Sequence, residues 1–212
     1  MIKLLQKIKH PLANPELTGI LLVATICLSS VFDSQFAKAA SDGIADNTPA
    51  QALDFDLNSY TPDQSLWSDK TKVKYEKAKF TEETPLALLT IERLNFEAPI
   101  YLGTDMVTLD RGLGLVKSTA RPGEVGNIAL SGHRDSFFRS LKDIKKGDTI
   151  EMKTPVGIEN FEVSDIFIVD ALDVSVIKPT DTTVLTLITC HPFYYAGYAP
   201  DRYIVRATPV GK

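Results

Sequence analysis

Residues 183–207 read TVLTLITCHPFYYAGYAPDRYIVRA, and this stretch decides both the fold and the chemistry of the chain. Residues 183–189 are β-branched and apolar and carry no charge, which is typical of a strand buried on at least one face. The strand is predicted to end at Cys190, because Pro192 cannot donate to a sheet ladder. After a loop, Arg202 opens a second short strand. Two adjacent antiparallel strands would bring the thiol and the guanidinium together.

Cys190 alone allows two interpretations. A single cysteine in an apolar strand is commonly a small buried hydrophobe. The only other cysteine, Cys27, lies in an apolar N-terminal segment, so the folded domain holds one thiol and no internal disulfide. A single thiol in an exported domain is also a candidate for a reactive group, and the other residues of the site must decide.

Length and charge limit the classes of protein. The 212 residues suffice for one good-sized domain with appendages. The net charge of −4 argues against a nucleic-acid binder, which would carry a basic face. The sequence shows no internal repeat and no glycine-rich phosphate loop.

Residues 1–40 form a predicted signal or membrane anchor. Three lysines, Lys3, Lys7 and Lys9, precede an apolar, uncharged run at 17–32. A basic start before an apolar run directs export and keeps the positive end in the cytoplasm. The run is short for a membrane helix, which needs about 17–25 residues. Both a short anchor and a signal cleaved after Ala39 therefore stay open.

Residues 41–84 form a predicted acidic stalk or linker. Acidic residues outnumber basic ones there, and apolar residues are scattered without a helical or strand period. A short helix is expected at 73–80. The alternative is a lid over the functional groove, because Trp67, Tyr75 and Phe80 are more aromatic than a linker requires.

From residue 85 the pattern becomes all-β. Short apolar runs separated by turn residues predict seven or eight strands in one barrel or sandwich, which occupies 85–209. A helical turn is expected within 104–112 and a short helix at 137–144. His133 follows a predicted strand and a glycine, so it too lies at a strand end.

Cysteine, histidine and arginine together suffice for acyl transfer through a thioester. Histidine can hold the thiol of Cys190 as thiolate or protonate a leaving amine. Arginine supplies a permanent positive charge for an oxyanion. A zinc site built on Cys190, His191 and His133 is the alternative. Adjacent strand residues point to opposite faces, however, so Cys190 and His191 would not easily share an ion, and we expect no metal and no cofactor.

Three segments together resemble the sortase family. They are Thr-Leu-Ile-Thr-Cys at 186–190, Ala-Leu-Ser-Gly-His-Arg-Asp at 129–135 and Arg-Tyr-Ile-Val-Arg-Ala at 202–207. The resemblance covers 85–209 in the family's order, and Cys-His-Pro-Phe-Tyr-Tyr at 190–195 looks most like class D. It implies an all-β fold, a closed eight-stranded β-barrel with short helices, preceded by the membrane segment and stalk.

The resemblance also implies an activity and partners. Sortases are bacterial extracytoplasmic cysteine transpeptidases, so the expected location is the cell membrane, in a single pass with the N-terminus in the cytoplasm, or outside the cell after signal cleavage. They cut proteins with a C-terminal sorting signal such as Leu-Pro-x-Thr-Gly after threonine. The acyl group then passes to an amine, which is a cell-wall precursor or a pilin lysine.

Residue roles follow from the same resemblance. Cys190 corresponds to the nucleophile, His133 to the general acid and base, and Arg202 to the oxyanion or substrate-orienting group. Arg206 is a rival, because it would face the same side of its strand as Arg202. Thr189 is a candidate hydrogen-bonding partner of the substrate, although it also fits as an ordinary strand threonine.

The connection at 170–181 corresponds to the loop that recognises the sorting motif. Val174, Val176 and Ile177 are therefore candidates for its leucine pocket.

Two rival functions stay open. A hydrolytic cysteine protease would pass the acyl group to water, although papain-like enzymes place cysteine before histidine in the chain, and here His133 precedes Cys190. A non-catalytic β-barrel binding module would not need the three side chains to converge. An L,D-transpeptidase expects Ser-x-Gly-Cys around its thiol, which Ile-Thr-Cys at 188–190 does not match.

Overall fold

The computed structural model describes residues 60–79, 83–195 and 197–211, all within one compact unit, Thr48–Lys212. The predicted signal or anchor and the first part of the predicted stalk lie outside the described residues. Among the residues that are described, no helix is both long and apolar enough to cross a membrane.

Eight strands close into one barrel, which confirms the predicted fold class. Around the barrel the order is β1-β2-β3-β4-β7-β8-β6-β5, and β1 also pairs with β5. The pairs β2–β3 and β4–β7 are parallel, and all other neighbours are antiparallel. The strands are β1 Ala87–Ile91, β2 Phe96–Leu102, β3 Leu113–Leu115, β4 Asn127–Ser131, β5 Thr149–Thr154, β6 Gly157–Asp170, β7 Val184–His191 and β8 Asp201–Pro209.

Large apolar side chains fill the barrel interior. Leu89, Leu130, Met152, Phe161 and Leu187 are fully buried and belong to one continuous core. Successive strand residues alternate between the two faces of the sheet, so each inward residue is followed by one that faces outward. Because the inner face is filled by apolar residues, polar side chains on these strands are expected on the outer face or at the ends of the barrel.

The predicted helical segments are present. Helix α1 spans Asp69–Ala78, and Ser68 caps its N-terminus because its side chain accepts from the Thr71 backbone N–H. Helix α2 spans Met106–Arg111, within the predicted turn. Three short 3-10 helices complete the domain, at Glu92–Leu94, Phe137–Asp143 and Val174–Ile177.

Strand β3 begins earlier than the sequence pattern suggests. The sequence by itself predicts a short strand at 115–118, whereas the structure pairs Leu113–Leu115 with β2 in parallel. Gly114 permits this pairing, because a Cβ atom at this position would collide with the carbonyl oxygen of Gly103. The alternation of apolar and polar side chains in the sequence does not indicate where two backbones approach so closely.

The described part of the acidic segment, 60–79, packs against the barrel. Trp67 and Tyr75 are buried, at 7% and 5% exposure. Both rings meet Phe137 edge to face, with centroids 5.0 Å and 6.2 Å away. Of the three aromatic residues that suggested a lid, Trp67 and Tyr75 thus contact the 3-10 helix that follows His133, and Phe80 lies outside the described residues.

Asn127 connects strand β4 to the connection between β6 and β7. Its buried side-chain amide donates to the carbonyls of Val176 and Lys178, both at 2.9 Å. Its carbonyl oxygen accepts from the Thr186 hydroxyl at 2.7 Å. This network holds the 3-10 helix Val174–Ile177 against the barrel.

We expect Asn127→Ala to lower the free energy of unfolding by about 1–3 kcal/mol, because it leaves buried polar partners unsatisfied. Urea denaturation would measure the change, with the exposed strand residue Asn160→Ala as the matched control. Equal effects of the two substitutions would contradict the role of the buried network.

Candidate active site

Cys190 and Arg202 lie on the neighbouring strands β7 and β8, and His133 follows the end of the third neighbouring strand, β4. The parallel register pairs Ser131 of β4 with Ile188 of β7, and two residues further along each chain are His133 and Cys190. The antiparallel register pairs Cys190 directly with Arg202 of β8. Neighbouring strands are about 4.8 Å apart, so the register alone brings the three residues to the same end of the sheet.

The side chains of Cys190 and Arg202 belong to the outer face of the barrel. Leu187 and Thr189 of β7 are buried inward, which leaves Cys190 facing outward. The same alternation applies to β8, where Val205 faces the core and Arg202 does not. Outward placement keeps the thiol partly accessible rather than buried in the core, which argues against the interpretation of Cys190 as a core hydrophobe.

The three residues line one cavity of about 190 Å³. Its other walls come from the segment after His133 and from the loop between β7 and β8. The lining residues are His133, Arg134, Asp135, Cys190, Gly197, Tyr198, Ala199 and Arg202. A second cleft, beside Trp67 and Phe137, has neither cysteine nor histidine in its described lining, whereas the cleft at Cys190 has both a thiol and an imidazole.

Burial controls the charge of His133. It lowers the pKa of the imidazole below its usual value, while the nearby carboxylates of Asp135 and Asp110 act in the opposite direction and Lys74 adds to the lowering. The Nε2 atom is buried and lies 3.5 Å from Oδ1 of Asp110. The neutral imidazole is therefore favoured at neutral pH, which suits a base that must accept the thiol proton.

The turn before His133 is fixed by two tight contacts. The hydroxyl of Thr189 donates to the carbonyl of Gly132 at 2.8 Å, and Thr189 is only 2% exposed. A Cβ atom at Gly132 would lie 2.6 Å from the ring of Phe138. In this structure Thr189 holds the histidine segment in place and does not line the cavity, so its hydroxyl is used within the fold.

Arg202 and Arg206 occupy different surroundings. Arg202 lines the cavity, and its guanidinium donates to the carbonyls of Ala199 and Asp201 at 3.2 Å and 2.9 Å. Arg206 pairs in register with Thr186, further from the strand end, and its guanidinium lies 5.7 Å from the ring centroid of Phe167. The geometry thus brings Arg202 to the thiol and leaves Arg206 outside the cavity lining.

Arg134 holds the loop between β7 and β8. Its guanidinium donates to three backbone carbonyls of that loop, those of Pro192, Tyr195 and Gly197, at 2.9–3.1 Å. Its neighbour in sequence is His133. Two neighbouring residues therefore supply the candidate base and hold the loop that lines the same cavity.

The candidate substrate-recognition residues lie on the 3-10 helix Val174–Ile177. Val174 is 66% exposed and Val176 is buried. None of the three candidates, Val174, Val176 and Ile177, lines the cavity at Cys190.

His191 faces away from the thiol. Its ring stacks against Tyr203, with centroids 6.1 Å apart and planes inclined by 20°. Across the ranges 60–79, 83–195 and 197–211, no group of three or more His, Cys, Asp or Glu side chains is arranged to hold a metal ion. The structure therefore brings together Cys190, His133 and Arg202 and separates His191 from them.

Sequence patterns missed two contributors to this site. Arg134 is part of the His-Arg-Asp segment that resembles the family, but the sequence does not indicate what its side chain contacts. No sequence pattern identifies Asp110, because a carboxylate on a short helix is common at a protein surface. Only the tertiary fold brings it to His133.

Comparisons with known proteins agree with this geometry. A family model described as Sortase domain matches residues 89–210. Sortase D of Bacillus subtilis (strain 168) is 42% identical over 132 residues, which span 61% of this chain and 67% of that protein.

Two solved structures resemble the chain. The catalytic domain of B. anthracis SrtD is 38% identical, with a TM-score of 0.53, and the match covers 62% of this chain and 90% of that one. A Clostridium perfringens Sortase D5 transpeptidase is 27% identical, with a TM-score of 0.56, and the match covers 70% and 92%.

We expect Arg134→Lys to loosen the loop between β7 and β8, because one ammonium group cannot replace a planar fork that serves three carbonyls. Hydrogen–deuterium exchange of the backbone amides at 193–199 should rise at least several-fold. The exposed Arg121→Lys is the matched control. Unchanged exchange in the Arg134 variant would show that the loop is held by other contacts.

We also expect His133 to make stability depend on pH. Its folded-state pKa lies below the value of about 6.5 for an unfolded histidine, so the unfolded chain takes up the proton first. The free energy of unfolding should therefore fall as the pH drops through that unfolded value. His133→Gln should reduce the difference in unfolding free energy between about pH 7.5 and 5.5, measured by urea denaturation. An unchanged difference would contradict the burial effect.

Proposed function

We propose that this chain, which belongs to the sortase family of cysteine transpeptidases, cleaves a C-terminal Leu-Pro-x-Thr-Gly-like sorting motif after threonine and transfers the acyl group to an amine. The observation that carries the proposal is that His133, just past the end of β4, lines one cavity together with Cys190 of β7 and Arg202 of β8. Nucleophile, base and cation are the three groups that acyl transfer through a thioester requires.

The first half of the reaction forms the thioester. The sulfur of Cys190 attacks the threonine carbonyl carbon while His133, neutral because it is buried, accepts the thiol proton. The tetrahedral intermediate then collapses and the C–N bond to glycine breaks. His133 returns the proton to the leaving amine, so the same imidazole acts first as base and then as acid.

Arg202 stabilises the negative charge that develops on the carbonyl oxygen. Its guanidinium remains charged at every working pH and is held in place by two backbone carbonyls. A donor aimed at the oxyanion stabilises the transition state more than the substrate, and this difference is what accelerates the reaction.

The second half of the reaction releases the product. An amine attacks the thioester carbonyl, His133 accepts its proton, and the Cys190 thiol is regenerated. The accepting amine is proposed to be a cell-wall precursor or a pilin lysine. Water in place of the amine would give hydrolysis, the outcome of a plain cysteine protease.

The connection between β6 and β7 is proposed to recognise the sorting motif. The exposed Val174 and its neighbours Val176 and Ile177 would receive the leucine side chain after a rearrangement of this segment. Thr189 is proposed to contact the substrate only if its hydroxyl leaves the carbonyl of Gly132.

The N-terminal part of the chain is proposed to place the barrel outside the membrane. The apolar run at 17–32 would serve as the anchor, with the basic N-terminus in the cytoplasm. In this arrangement 1–40 is the anchor or signal, 41–84 connects it to the barrel, and 85–209 is the catalytic domain. The substrates would be surface proteins that carry the sorting signal.

The function is tested with the full-length chain, a panel of quenched Leu-Pro-x-Thr-Gly peptides and added amines, with products identified by mass spectrometry. We expect cleavage after threonine with an amine adduct. We expect Cys190→Ala to abolish it without change in the melting temperature. A Cys190→Ala protein that still cleaves the peptide would overturn the proposal, and product from water alone would favour the protease.

We expect Arg202→Ala to lower kcat/KM by about 100-fold to 1,000-fold, the usual cost of removing an oxyanion donor. Arg206→Ala is the matched control, since it removes the same group from the same face of β8 outside the cavity, and its loss should be much smaller. A larger loss of kcat/KM in Arg206→Ala than in Arg202→Ala would assign the oxyanion-stabilising role to Arg206.

A further inference from the structure

The environment of His133 extends beyond the barrel strands. Its Nε2 atom is buried and makes no hydrogen bond to any described residue, while Oδ1 of Asp110 lies 3.5 Å from it. The two side chains are 25% and 18% exposed. A distance of 3.5 Å is longer than a normal hydrogen bond, but a small rotation closes it, and catalytic hydrogen bonds often tighten only when substrate binds.

A proton on Nε2 facing Asp110 has a chemical consequence. A neutral imidazole carries one N–H, so a carboxylate at Nε2 favours that tautomer and leaves Nδ1 as the basic nitrogen. The carboxylate also favours the imidazolium that forms after the thiol proton is taken up. Both effects favour uptake of a proton at Nδ1.

Asp110 is held in place by its own helix. Asp105 caps the N-terminus of helix α2, and its carboxylate accepts from the Thr108 backbone N–H at 3.1 Å. At the other end Arg111 is 4% exposed, lies 3.9 Å from the ring centroid of Tyr101 and pairs with Glu83. The carboxylate therefore approaches His133 from a rigid position.

Helix α1 supplies the opposite charge. The ammonium of Lys74 lies 3.8 Å from the same Asp110 oxygen that faces His133. One helical position later, Tyr75 is buried against Trp67 and Phe137, which anchors α1 beside the histidine segment. Lys74 reduces the effect of the Asp110 charge on the imidazole, so it sets how strongly His133 is drawn toward the charged form.

We propose that Asp110 is a positioning residue that sets the tautomer of His133, and that Lys74 moderates its charge. The helix that precedes the barrel is then part of the catalytic apparatus. This inference rests on the proposed function for its kinetic consequence but not for its structural one. The groups that face His133 are Asp110 from α2, Lys74 from α1, Asp135 from its own segment, and Cys190 and Arg202 from β7 and β8.

The test compares Asp110→Asn, Asp110→Glu and Lys74→Met in the full-length chain. The matched control is Lys72→Met, which removes the same charge from α1 at a lysine paired with Asp69 of its own helix. The tautomer and pKa of His133 are followed by NMR of histidine labelled with ¹⁵N and ¹³C. The cleavage rate of the sorting peptide is measured across pH to give kcat and KM.

We expect Asp110→Asn to shift the tautomer of His133, to lower its pKa, and to reduce kcat by about 10-fold to 100-fold with little change in KM. Asp110→Glu should restore most of kcat. Lys74→Met should raise the pKa of His133 and move the acid limb of the kcat profile upward, whereas Lys72→Met should move neither.

Several results would overturn the inference. An unchanged His133 tautomer in Asp110→Asn would do so, as would a loss of kcat explained by a fall in melting temperature alone. Equal behaviour of Lys74→Met and Lys72→Met would remove Lys74 from the proposal. If the wild-type chain cleaves no sorting peptide, the proposed function fails, while the NMR comparison still decides whether Asp110 controls the imidazole.

Discussion

The hydrogen-bond register of β4, β7 and β8 is the constraint on which the site depends. The parallel ladder between β4 and β7 carries His133 alongside Cys190, and the antiparallel ladder between β7 and β8 carries Arg202 alongside the same residue. A slip of one residue would turn Cys190 toward the core and Thr189 toward the solvent. The buried face of each strand prevents such a slip, so core packing and catalytic geometry are enforced by the same contacts.

An outward-facing site on a barrel needs walls from other parts of the chain. Arg134 holds the loop between β7 and β8 through three carbonyls, and Asp110 of helix α2 lies next to His133. These walls partly remove His133 from water, which favours its neutral form, while carboxylates nearby oppose that tendency. The charge of the base is therefore a balance between burial and neighbouring charges, set by elements distant in sequence.

The sequence pattern predicted the barrel and identified the candidate site residues, because both have local signatures. Runs such as 183–189 are recognisably strands, and the segments around His133, Cys190 and Arg202 carry a specific combination of motifs. The packing of the acidic segment was not predictable in this way. A short helix around Tyr75 is predictable from the sequence, but the burial of Trp67 and Tyr75 depends on a partner, Phe137, far along the chain.

The sequence by itself determined the all-β fold class, the family of cysteine transpeptidases and the identity of the three aligned residues, because strand periodicity and short motifs are properties of neighbouring residues. Only the tertiary structure decided that Thr189 bonds to Gly132 and that Arg202 rather than Arg206 lines the cavity. It also decided that Asp110 lies next to His133 and that Lys74 lies next to Asp110. These contacts depend on register and on the packing of separate elements, and no local pattern encodes the distance between residues that meet only after the barrel closes.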